Sequence, residues 1–405
     1  MEMSAEQQEH EAVLLEMLAE CTRIQGDAGG ARAYYEQALT LHQALQATVE
    51  IQAMIWIEIG LCWFDEGDLA QAKQYYTRGE ECLHEAGLET GFAWAKVRYE
   101  QGYAALCEGR YQEVQLLAQE ALSIFSRGTE NKDRLTSRMT RLQRTLAGDP
   151  VDKGRAHTLI GLIAIVTGQA AEALTELLKA YTIYQQHHQI RELAIVCGNL
   201  GDLYMRRAAY EQAQEALEEA LYLADKMGYA ALSNFTTGNL GVVALRQGNL
   251  ERAEECFVQA LNGSTQCNEK ASMSFWASYV GEVAIAQGQI EKARRYVAQA
   301  LVYARQCHFE PYLGKALVIA ASLHLTSLLQ SPSNTKHRKA PKVLQQALSL
   351  NGIEAETRIE ARLVAARLAA LEGDRAASQA QAHAALDEAQ QCGVEWVIPL
   401  AREWL

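Results

Sequence analysis

Proline is scarce: five residues (Pro150, Pro311, Pro332, Pro341, Pro399) interrupt a chain of 405, so long stretches keep every backbone donor that a helix needs. Positive charge is in deficit, with 37 Lys and Arg against 50 Asp and Glu and a formal net charge of −13. That balance repels a phosphate backbone, and no direct nucleic-acid partner is expected. The nine cysteines never fall as C-x-x-C or beside histidines at ligand spacing, which argues against a zinc module and for reduced thiols in a cytoplasmic protein. The N-terminus has neither a basic start nor an apolar signal core. No uninterrupted apolar run approaches the roughly 20 residues of a membrane span, and no membrane association is expected. Phosphate loops of the form G-x-x-x-x-G-K-[S/T], H-E-x-x-H helices and nucleophile elbows are missing too. These absences predict no enzyme, no cofactor and no metal site.

What remains is rich in Ala, Leu, Gln and Glu, and favours helix throughout. Gly161, Gly201, Gly241 and Gly281 stand 40 residues apart, and a second glycine follows seven later at Gly168, Gly248 and Gly288. Alanines keep the same step at Ala173, Ala213, Ala253 and Ala293, then at Ala180, Ala220, Ala260 and Ala300. A fixed period of this size marks a helical solenoid in which each unit is an antiparallel helix pair, for example Ala194 to Arg207 and Tyr210 to Lys226. The small residues let the two axes approach, and the second glycine supplies the left-handed backbone that ends the first helix. With the slipped units around Gly26, Gly60, Gly102, Ala321 and Gly373, the pattern predicts an all-α array of about nine pairs over 1–405. Residues 394–405 serve as its C-terminal cap.

Cys197-x-x-Leu200-Gly201-x-x-Tyr204, followed by Ala213, Leu217 and Ala220, resembles the tetratricopeptide-repeat (TPR) consensus at matching spacings, as does Trp56 with Gly60, Trp63, Ala72 and Tyr76. The resemblance implies a right-handed α-α superhelix. The 40-residue period and the Asn-Leu-Gly triplets at 199–201 and 239–241 are similar to the long-repeat branch. That branch holds eukaryotic polarity-adaptor scaffolds and the sensor domains of the bacterial maltose-regulon activator and related signalling ATPases.

In that family the first helix of each pair lines the concave face. The resemblance therefore implies a partner-binding surface at Tyr99, Tyr103, Asn199, Asp202, Arg206, Phe235, Asn239, Arg246, Phe275, Tyr279 and Glu282, with Glu58, Asp65 and Glu100 at corresponding outward positions. Asn199 and Asn239 suit either a peptide backbone or the neighbouring helix. Arg206 and Arg246 suit either a carboxylate or phosphate, or a solvated face. Phe235, Phe275 and Tyr279 fit a ligand platform or the core between repeats.

Two interruptions break the period. Between Gly102 and Gly161 the step is 59 residues, so an inserted basic segment lies within 126–150. Its Arg134, Arg138 and Arg141 share one helix face, either as a docking helix for an acidic partner or as a solvated face. Residues 331–338 read as a flexible loop. The reading that follows is a scaffold for a protein or peptide, with a ligand-sensing regulatory domain responding to a small-molecule effector or peptide as the alternative. Oligomeric state is left open by the sequence.

Overall fold

The computed structural model describes residues 4–128, 139–307, 310–330, 339–350 and 353–405. All regular structure among these residues is helical. The first pairs are α1 (Ala5–Ile24) with α2 (Ala28–Ala44), α3 (Val49–Asp65) with α4 (Leu69–Glu85), and α5 (Phe92–Cys107) with α6 (Tyr111–Phe125). A short α7 (Arg141–Leu146) precedes α8 (Pro150–Val166) and α9 (Ala170–Gln186). Then come α10 (Ile190–Arg206) and α11 (Tyr210–Lys226), α12 (Ala230–Arg246) and α13 (Leu250–Gln266), and α14 (Lys270–Ala286) and α15 (Ile290–Cys307). The last pairs are α16 (Glu310–Gln330) with α17 (Lys339–Leu348) and α18 (Ala355–Leu371) with α19 (Arg375–Gln391). A 3-10 turn (Glu395–Val397) and α20 (Ile398–Arg402) end the chain. Among the described residues the helices thus follow one another in consecutive pairs, with α7 and α20 outside the pairing.

The chain divides into two compact units, one of residues 1–163 and 178–187, the other of 164–177 and 188–405. In the first, the core runs through Tyr35, Met54, Ile57, Tyr76, Leu83 and Val97, all buried. In the second, Phe257 and Trp276 are fully buried at the centre of a cluster that includes Leu217, Val243, Val280 and Val283. α16 is long and apolar enough to cross a membrane by composition, but most of that stretch is buried inside the second unit.

The repeated small residues act as expected. A Cβ on Gly201 would stand 2.6 Å from Leu217, and one on Gly241 would stand 2.8 Å from Phe257, so in both pairs the second helix fills the missing side chain. Ala213, Ala220, Ala253 and Ala260 are completely buried at the same seams. Gly168, Gly248 and Gly288 have φ of +78°, +80° and +74°, the left-handed conformation of a helix C-cap. Helix starts are capped where the loop supplies an acceptor: Asp68 accepts from the Gln71 amide at 2.9 Å and Asn249 from that of Arg252 at 3.1 Å.

Inside the inserted segment the helix begins at Arg141, with Thr140 and Gln143 forming a capping box. Arg134 and Arg138 lie outside the described residues, as does the expected loop at 331–338.

Candidate functional site

The second unit contains a cavity of about 330 Å³ on which its first helices converge. The sixth residues of α10, α12, α14, α16 and α18 all line it: Ile195, Phe235, Phe275, Lys315 and Glu360. Asn199 and Asn239, the tenth residues of α10 and α12, join them, as does Tyr279, the tenth residue of α14. Arg206 and Arg246, at the last positions of α10 and α12, stand on the same wall with Asp202. The structure therefore brings together Asn199, Asp202, Arg206, Phe235, Asn239, Arg246, Phe275 and Tyr279. Glu282 stands beside them, 3.8 Å from Arg246 and 3.3 Å from Lys315.

Tyr99 and Tyr103 belong to the other unit and are not part of this cavity. Tyr99 packs on the core with the Lys96 ammonium 5.3 Å from its ring, and Tyr103 meets Phe64 edge-on at 5.6 Å. In the same unit Glu58 is buried on α3, and Lys96 and Glu100 form a buried ion pair on α5. Arg141, which the sequence places on either a docking face or a solvated face, is turned inward, its guanidinium 3.9 Å from Glu58 and its side chain largely covered. The cause is electrostatic: Glu58 is an enclosed carboxylate, and α7 packs against α3 and α5 with its arginine toward that charge.

The two arginines of the cavity wall, for which the sequence left open an anionic ligand or a solvated face, face carboxylates of the chain itself. Arg206 binds Asp202 at 3.1 Å, with Glu356 at 4.0 Å. Arg246 binds Glu360 at 3.1 Å, with Glu356 at 3.9 Å, and its guanidinium lies 3.3 Å above the Trp396 ring. Both guanidinium groups thus contact the chain's own carboxylates, with Nε of Arg246 left without an acceptor. Lys315 completes the network, 2.7 Å from Glu360 and 4.4 Å over the Tyr279 ring. Burial by itself pushes the Lys315 ammonium down, but Glu282 and Glu360 outweigh it and hold it above its ordinary range. Burial pushes the Glu360 carboxyl up. For Glu282 the upward push of burial is overcome by Lys315 and Arg246, which hold it below.

The aromatic residues divide between core and surface. Phe275 meets Trp276 at 4.8 Å and Tyr312 at 4.7 Å, tying repeats together, while Phe235 keeps 40 % of its surface exposed. The side-chain amide nitrogen of Asn199 is buried and has no acceptor, and the same holds for Nε of Arg246. An unfilled donor in such a place costs on the order of 1–3 kcal/mol until an acceptor reaches it.

Lys315, Tyr312, Glu354, Glu356, Glu360 and Trp396 were not expected at the site. Lys315 had a readable signal, standing one 40-residue step beyond Phe275. Glu360 stands 45 residues beyond Lys315 because α18 starts late, and Trp396 follows no register at all. Among the described residues no group of three His, Cys, Asp or Glu is placed to hold a metal ion.

Residues 194–227, spanning most of α10 and all of α11, match the model of the tetratricopeptide repeat. No curated protein matches the sequence. Among solved structures, a Rap protein complexed with competence and sporulation factor is 13 % identical, with a TM-score of 0.69 over 95 % of this chain and 99 % of its own. The Rap conjugation gene regulator of plasmid pLS20, in complex with the Phr* peptide, is 15 % identical with a TM-score of 0.57 over 94 % and 95 %. A Signal Transduction ATPase with Numerous Domains from Pyrococcus horikoshii, which has a tetratricopeptide repeat sensor, is 12 % identical. Its TM-score is 0.53 over 92 % of this chain and 54 % of that one. One stretch of the chain, residues 194–227, thus matches the tetratricopeptide repeat, and these solved structures share its fold of paired helices.

Proposed function

We propose that the protein is a binding and regulatory scaffold that takes a short peptide into the cavity of its second unit. The observation that carries this reading is the buried amide nitrogen of Asn199, a donor with no acceptor on the wall of a cavity of about 330 Å³. Clefts of that size suit a small ligand or a few residues of chain better than a long extended partner. A peptide carbonyl satisfies such a donor, and the apolar part of the wall, Phe235 and Phe275, gives its side chains a surface. Two of the similar solved structures support the reading by holding a factor or a peptide of their own. No catalytic step is proposed.

The test is retention of a pooled library of short synthetic peptides by the intact protein, read by mass spectrometry, with Asn199→Ala/Asn239→Ala as the comparison. Peptides retained by the parent and lost from the double variant, at unchanged helical content, support the assignment. Equal retention by both places the ligand elsewhere, and no retention at all rejects a peptide ligand.

A sensor role is the second reading, and the links between α12 and α18 favour it. A ligand entering between Arg246 and Glu360 changes a contact that spans 114 residues of sequence, which is a way to pass binding on to an effector. The likeness to an ATPase with a repeat sensor is in keeping with it. A nucleotide-binding module encoded beside or fused to this chain distinguishes the sensor from a free scaffold.

A further inference from the structure

Helix α1 carries a second surface that the cavity does not use. Its inner face, with Ala12, Glu16 and Ala19 buried, packs on α2, and Glu16 is bonded there to His42 at 2.7 Å. On the opposite face Leu14 is 59 % exposed, Met17 37 %, Leu18 49 % and Ile24 65 %, with Cys21 exposed among them. The intervals 14, 17, 18, 21 and 24 put all five on one stripe about three turns long. Among the described residues no other helix carries more than two large exposed hydrophobics.

At about 100° per residue, Glu9 and Glu20 flank the stripe on one side and Glu11 on the other. The single arginine of the helix, Arg23, is turned inward to Asp65 at 2.9 Å. The seam is therefore apolar with acidic edges. Two copies packed through it would set glutamates against glutamates, which disfavours a second copy as the occupant.

We propose that the exposed stripe of α1 is a docking surface for a basic amphipathic helix of a partner protein. Its apolar residues would interleave with Leu14, Met17, Leu18 and Ile24, and its lysines or arginines would face Glu9, Glu11 and Glu20.

The probe is a synthetic amphipathic peptide with a leucine stripe and lysines along both edges, compared with the same peptide carrying glutamates there. The lysine-edged peptide should bind the full chain at least tenfold tighter than the glutamate-edged one. Binding should weaken at least tenfold in Leu14→Glu/Leu18→Glu, whose changes are on an exposed face and leave the helical circular dichroism intact. Alkylation by iodoacetamide, followed by mass spectrometry, gives the location: bound peptide should slow modification of Cys21 at least threefold and leave the exposed Cys267 unaffected. Equal binding of the two peptides, unchanged affinity in the variant, or equal protection of both cysteines overturns the proposal. A wild-type oligomer that the double substitution dissociates in sedimentation velocity also overturns it, in favour of a second copy.

Discussion

Arg246 and Glu360 lie 114 residues apart in sequence, yet the guanidinium of one donates to the carboxylate of the other at 3.1 Å, joining α12 to α18. Lys315 shares the same carboxylate at 2.7 Å, and the Trp396 ring covers the guanidinium. Removing the common acceptor leaves two enclosed cations with too few partners. Glu360→Ala should lower stability by about 3 kcal/mol, the cost of breaking a buried pair from one side. Urea unfolding followed by circular dichroism measures it. A loss well under about 1 kcal/mol would mean that water replaces the carboxylate and that the network holds little of the closure.

How much of this site could be read from the sequence follows from where the period holds. Asn199, Asn239, Phe235 and Phe275 were legible because the helices bearing them start 40 residues apart, so one register transfers a side chain's direction from pair to pair. Lys315 obeys the same register but falls beyond the last aligned glycine. Glu360 was hidden by five extra residues between the starts of α16 and α18, since a shift of five turns a helix face by more than a quarter turn. Trp396 reaches Arg246 only because the end of the chain folds against helices far away in sequence, a contact that local periodicity does not encode. The glycine and alanine seams were legible for the opposite reason, being contacts within one pair. The inward turn of Arg141 was not, because it depends on a carboxylate more than 80 residues earlier.

Where its neighbours end their first helix with Gly168 or Gly248, the fifth pair has Ala208, held at φ 54°. The left-handed conformation costs a residue with a Cβ roughly 1–2 kcal/mol. Part of that is returned because glycine loses more freedom on folding. Ala208→Gly should therefore stabilise the protein by about 0.5–1 kcal/mol, seen as a raised denaturation midpoint with unchanged slope. A lower midpoint would show that chain entropy outweighs the strain.

Close helix approach makes a steeper demand at Gly238, where an added Cβ would fall 2.4 Å from the fully buried Trp276 ring. The ring has no flexible end with which to retreat. Gly238→Ala should cost about 1–3 kcal/mol by overpacking despite alanine's better helix propensity, and Ala213→Leu, at a site with no exposed surface, should cost a similar amount. Thermal unfolding of the two variants checks both. A stabilised Gly238→Ala would show that propensity wins and that α12 and α14 can separate without loss.

Acid should act on the first unit through Glu58. Burial by itself pushes this carboxyl up, and Arg141, Lys96 and Arg23 around it together hold it below its ordinary value. A carboxyl whose folded value lies below its unfolded one adds stability above the unfolded value, near 4.3 for a free glutamate, and loses it as the pH falls through the folded value. Glu58→Gln, which mimics the protonated group, should therefore be less stable than the parent at pH 7, and the gap should close as the pH drops below about 4. Urea midpoints of the two proteins across that range measure it. A gap that stays constant with pH would mean that the glutamine's packing sets the difference, whereas one that narrows only in acid assigns it to the charge that Arg141 faces.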